Sequence, residues 1–217
     1  MRGLALTALL LLAACASKPA PPDWQINAHA ALQSFTAAYY AGNTRLADQE
    51  FARARADIAA TGRPDLLARA ELVRCAARVA SLEFDECAGF EALAADAGPA
   101  ERAYAAFLAG KWQGLDASLL PAHHRAVLAG ASDAGTLAGI EDPESRLVAA
   151  GVLFRIGRVT PEGIAVATWT ASDYGWRRPL LAWLGVQARR ADAAGDQAEA
   201  ARIRRRIDLV TSGAAAP

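Results

Sequence analysis

The chain has no surplus of charge of either sign. Its 217 residues carry 23 basic and 23 acidic side chains, so it lacks the basic surface from which nucleic-acid-binding domains draw their affinity, and no nucleic-acid partner is expected. It is poor in metal-ligating and redox side chains, with three histidines and three cysteines. Cys15, Cys75 and Cys87 form no Cys-x-x-Cys pair. His-Glu-x-x-His, the P-loop, Gly-x-Gly-x-x-Gly and Gly-x-Ser-x-Gly are all missing. Adjacent His123 and His124 point about 100° apart on a helix and cannot share one ion as an i, i+4 pair would. They read as a solvated or capping pair. The sequence therefore assigns no catalytic residue, no metal and no cofactor. A spanning apolar run is lacking too. The stretch Leu4 to Ala14, broken by Thr7, would extend about 16 Å as a helix, against a hydrocarbon core of roughly 30 Å.

Alanine is what the chain has in abundance, about a quarter of all residues. It is the best helix former and a poor strand former, which points away from an all-β fold. Helix punctuation recurs from Asp23 onward. Asp23 can cap a helix carrying Trp24, Ala28, Ala31, Phe35 and Tyr39, and Leu46, Ala47, Phe51, Ala54 and Ile58 form the next apolar stripe. Gly62 suits a helix stop and Pro64 a helix start. Asp142-Pro143-Glu144 and Thr160-Pro161-Glu162 each supply a cap, a first-turn proline and an early acid. Gly175 and Gly195 stop two late helices, and the region 110–141 is less regular, with one short helix near Pro121 to Leu128. The nearest thing to a strand, Ile164 to Thr170, follows a helix-start signal. The expected fold is all-α: an array of nine to ten short helices in antiparallel hairpins, forming a single domain over 23–210 with a disordered tail at 211–217.

The first residues speak to location. Met1-Arg2 gives a positive start, an apolar run follows, and small residues close it, which is the pattern of a secretory signal. Its end, Leu12-Ala13-Ala14-Cys15, resembles the lipobox of bacterial lipoproteins. The resemblance implies a signal peptide over 1–14, cleavage before Cys15, and lipidation of Cys15. In that family an Asp after the lipidated Cys retains the protein at the inner membrane. Here Ala16 and Ser17 follow, so the resemblance implies a lipid anchor in the outer membrane of a Gram-negative cell, facing the periplasm. Residues 15–22 then form a proline-rich tether, since proline fixes φ and removes a backbone donor.

Cys75 and Cys87 remain for the oxidising compartment, and an even pair is a disulfide candidate, with buried free thiols or a redox role as alternatives. With 64–81 helical, 82–85 a turn and a second helix from about Glu86, a bridge between facing positions of the two helices is expected.

Tyr40-Ala41-Gly42-Asn43 with Ala47, Phe51 and Ala54 resembles the middle of a tetratricopeptide repeat, where a Gly-Asp/Asn turn precedes Ala, an aromatic and Ala. Gly195-Asp196 with Ala200, Ile203 and Ile207 repeats the idea. The resemblance implies tetratricopeptide-like helical hairpins. Trp169, Tyr174, Trp176, Arg177 and Arg178 cluster around Gly175 and belong to the residue types that dominate interface hot spots. They are candidate partner-binding residues; the alternative reading has Trp169 and Trp176 pin two helices together across their turn. Arg202, Arg205 and Arg206 read as a solvated face on the last helix, with contact to anionic lipid headgroups or a protein partner as the alternative. The function expected is a non-enzymatic, lipid-anchored interaction or envelope-assembly module with an envelope protein as partner. An envelope enzyme or small-ligand binder acting on peptidoglycan or lipid is the alternative.

Overall fold

The computed structural model describes residues 20–213. The expected signal peptide, Cys15 and residues 214–217 lie outside that range, and Ala20 to Pro22, at the end of the expected tether, are exposed and without regular structure. Four helices open on a proline in their first turn, where the missing amide costs nothing: α3 (Pro64–Ala80), α5 (Pro99–Leu108), α8 (Pro143–Arg155) and α9 (Pro161–Asp173). Asp142 caps α8 by accepting from the Ser145 amide at 2.6 Å, and Thr160 caps α9 by accepting from Gly163 at 3.0 Å. The remaining elements are α1 (Asp23–Tyr40), α2 (Thr44–Ala59), α4 (Ala88–Glu91), a 3-10 turn at Ala117–Leu119, α6 (Ala122–Leu128), α7 (Ala134–Ala138), α10 (Arg177–Ala193) and α11 (Gln197–Ser212).

The chain is thus all-helical over the described residues, with eleven α-helices where nine or ten were expected. The extra count comes from the middle of the chain. The helix expected from about Glu86 is the single turn α4, and α7 is a second short helix in the less regular stretch 110–141, where one was expected. Asp23 is the first helical residue of α1, not its cap, which is Pro22. Helix α11 runs to Ser212, two residues past the boundary expected at 210.

Two hairpins fall where glycine turns were read. Gly42, at φ 82°, joins α1 to α2, and Gly195, at φ 73°, joins α10 to α11; only glycine takes this left-handed conformation without steric cost. Between the hairpins, α3 and α8 pack against each other at the centre. Gly151 of α8 rests on the Val79 carbonyl of α3 so closely that a Cβ would collide with backbone. Buried Ala77 and Ala80 on one side, and Ala149 and Ala150 on the other, extend the close approach. The alanine content is therefore also a packing device: small side chains let the helices draw together at high density. Trp183 of α10 fills the adjoining space, fully buried, its indole N–H donating to the Ala80 carbonyl at 3.2 Å.

Candidate functional site

The aromatic and basic residues around Gly175 divide into two groups. Trp169 on α9 and Tyr174 at its end are 61% and 51% exposed. Trp176 turns inward, its ring 4.7 Å from that of Tyr40 and 5.0 Å from that of Tyr174. Arg177 lies against Gly42 in the first hairpin. Arg178 is a staple: it donates to the Tyr39 carbonyl at 2.8 Å, to Glu83 at 3.0 Å and to the Thr44 hydroxyl at 2.6 Å, with its guanidinium 4.2 Å above the Tyr39 ring. One end of the sequence cluster faces water and the other ties α10 to α1, α2 and the loop after α3.

A larger concavity than any beside this cluster lies between other helices. A groove of about 500 Å³ runs between α3, α5, the 3-10 turn and the start of α8. Its apolar lining comes from Leu72, Val73 and Ala76 of α3, Leu119 of the 3-10 turn and Leu120 after it, and Val148 of α8. The rim is polar. Arg69 and Glu101 form an ion pair at 2.6 Å across its α3–α5 side. Asp142 and Glu144 border it from α8, and Tyr104 from α5. Glu144 accepts a hydrogen bond from the Tyr40 hydroxyl at 3.2 Å. Burial raises the Glu144 carboxyl above the usual carboxylate range against the lowering effect of that hydrogen bond, and the Asp142 charge pushes the same way as burial. The Tyr104 phenol is raised in turn, first by burial and then by Glu144 and Asp142.

Behind Tyr104 sits His124, which with His123 was expected as a solvated or capping pair. His123 is exposed, but His124 is only 1% exposed, with its ring 4.8 Å from Phe107 and 5.9 Å from Tyr104. Neither ring nitrogen has a hydrogen-bond partner. Burial pushes its pKa down from 6.5 to about 3, His123 adding to the effect and Asp142 opposing it. The unfolded chain therefore takes up this proton first. The stability due to neutral His124 is complete above about pH 6.5 and declines by about 1.4 kcal/mol per pH unit below it, until the folded pKa is reached. His124→Phe should remove that slope between about pH 6 and pH 4 in urea unfolding measured over a pH series. An unaltered slope would place the acid sensitivity in other groups.

Cys75 of α3 and Cys87 at the start of α4 lie at disulfide distance, with Cα atoms 5.8 Å apart. The bridge runs from a helix to a loop end and not between two long helices. Cys87 takes a left-handed conformation, φ 51°, and its amide donates to the Asp85 side chain at 3.1 Å. Beneath it, Glu71 is fully buried and paired with Arg55 and Arg74. Gly89 of α4 packs on the Glu71 carboxylate with no room for a Cβ.

The sequence reading missed the groove, because its walls come from four separated segments and no local pattern joins them. The one available signal was the pair of first-turn acids after Pro99 and Pro143, which places charges at two helix starts that meet in space. No group of three or more His, Cys, Asp or Glu side chains suited to a metal ion occurs among the described residues. No helix there is long and apolar enough to cross a membrane. No family model matches the chain, and neither a curated protein nor a solved structure does.

Proposed function

We propose that this protein is a protein-interaction module held at the outer membrane by lipid on Cys15, acting in envelope assembly and not as an enzyme. The observation that carries the binding reading is the groove between α3, α5 and α8 with its apolar lining. Of its polar groups Glu101 is paired with Arg69, while Asp142 and Glu144 each accept a single bond, from the Ser145 amide and from the Tyr40 hydroxyl. Asp142 and Glu144 lie close enough for one charge to act on the other, but neither carboxylate is hydrogen-bonded to a nucleophilic side chain among the described residues. What the groove offers a ligand is chiefly apolar surface with a few polar groups at the rim, the kind that receives a segment of another chain. The anchor rests on the sequence Leu12-Ala13-Ala14-Cys15, and two or more acyl chains, each CH₂ adding about 0.8 kcal/mol, suffice for stable attachment.

The experiment combines both halves. Wild-type protein is expected in the outer-membrane fraction of a density gradient, and Cys15→Ala in the soluble periplasmic fraction. A photo-crosslinking residue at Val73 should capture one reproducible envelope protein in cells. If Cys15→Ala still sediments with the membrane, the anchor is wrong.

A second reading, a small-ligand binder, is favoured by one observation. A carboxyl raised by burial beside a concavity of this size is also the mark of a ligand pocket. Capture of no protein at Val73, with retention of a lipid or peptidoglycan fragment through purification, would support it.

A further inference from the structure

The groove is asymmetric in charge, and that asymmetry specifies what it receives. Arg69 is matched by Glu101, but Asp142 and Glu144 have no cation within ion-pair distance among the described residues. Both influence the same phenol, Tyr104, whose hydroxyl makes no hydrogen bond within the described residues and whose side chain lines the groove. Two carboxylates beside an aromatic ring make a subsite for an ammonium or guanidinium group, which the carboxylates attract and the ring face can stack upon. The half-buried Glu144 carboxyl, held above its ordinary range, is the group that gains most from an incoming positive charge.

A second concavity adjoins the groove along α3. It measures about 370 Å³, is bordered by Trp24 and Leu32 of α1, Ile58 of α2 and Leu66 of α3, and shares Arg69 and Val73 with the first. Together they follow α3 from Leu66 to Ala76, about 15 Å of helix. That length suits a few turns of helix or a short extended segment better than a compact small molecule.

We propose that the groove and the adjoining concavity anchor a basic residue carried on an otherwise apolar segment of a partner protein, the cation seated between Asp142, Glu144 and Tyr104 and the apolar side chains lying along α3 toward Trp24. This rests on the reading of the chain as an interaction module and names the chemistry of its partner.

The test uses the full chain carrying Cys15→Ala, so that no detergent competes for the groove. The probes are fluorescein-labelled twelve-residue peptides of Leu, Ala and Ser with one central Arg, and the same peptides with Gln or Glu at that place, followed by fluorescence anisotropy. The Arg peptide should bind at least about tenfold more tightly than the Gln peptide, and the Glu peptide most weakly. Asp142→Asn with Glu144→Gln should abolish the preference while leaving helicity and melting unchanged. Asn still caps a helix, and Gln still accepts from Tyr40. Equal binding of the three peptides, no binding by any, or a preference that survives the double substitution overturns the proposal. If Val73 crosslinks in cells to a protein segment with no basic residue, the interaction reading stands and this proposal falls. If the Arg preference holds but no protein is captured, the occupant is a basic amphiphile of another kind and the protein-partner assignment falls.

Discussion

Replacing Arg55 and Arg74 together with methionine is expected to destabilise the protein by about 3–5 kcal/mol, the range for stranding one member of a buried ion pair. Glu71 is 0% exposed and its carboxylate is paired with both guanidiniums. The arginines themselves reach in from the surface, so losing the acid would simply return them to water, whereas losing both bases leaves a charge that has nowhere to go. Either single substitution should cost much less, because one partner remains. Adding Glu71→Gln to the double variant should recover part of the loss, since a neutral amide needs hydrogen bonds but no counter-charge. In thermal melts the double variant should fall by about 10 °C for a chain of this size. A double variant melting within a degree of wild type would mean that Glu71 is not held as an ion.

Trp183→Ala should have a comparable effect, about 3–5 kcal/mol, for a different reason. The indole is the largest fully buried side chain, sits edge-on to Phe154 at 5.9 Å, and satisfies the Ala80 carbonyl at the end of α3. Its removal opens a cavity beside the α3–α8 crossing, where Gly151 and Val79 already touch and nothing can slide in to fill it. Trp183→Phe should keep most of the packing and lose the hydrogen bond, at a cost of about 1 kcal/mol or somewhat more. The comparison is made by urea unfolding. Equal losses for the alanine and phenylalanine variants would contradict the packing argument.

What the sequence disclosed was local. Pro64, Pro143 and Pro161 begin helices where a first-turn proline should, and Asp142 and Thr160 cap as their side chains allow. Gly42 and Gly195 turn the two hairpins. Ile164 to Thr170 is helical because the cap and proline ahead of it outweigh its β-branched content. What stayed hidden was everything that needs two distant segments at once. His124 is spaced like a surface residue, and only the arrival of Phe107 and Tyr104 buries it. Arg178 sits beside Trp176 in the sequence like an interface residue, yet its partners are 95 to 139 positions away. The groove is invisible for the same reason: its carboxylates, phenol and apolar lining lie on α3, α5 and α8, and no periodicity links them.

The Arg178 staple also imposes an order of events. Its bond to the Tyr39 carbonyl closes a loop of 139 positions, and a chain is made from its N-terminus onward. Until α10 has been delivered, the end of α1, the start of α2 and Glu83 lack their common guanidinium, and the Tyr39 ring lies open. The first hairpin is thus among the earliest elements to form and among the last to be completed. A nascent chain halted before Arg177 would hold a helical but unlatched front end, waiting for the tail to lock it.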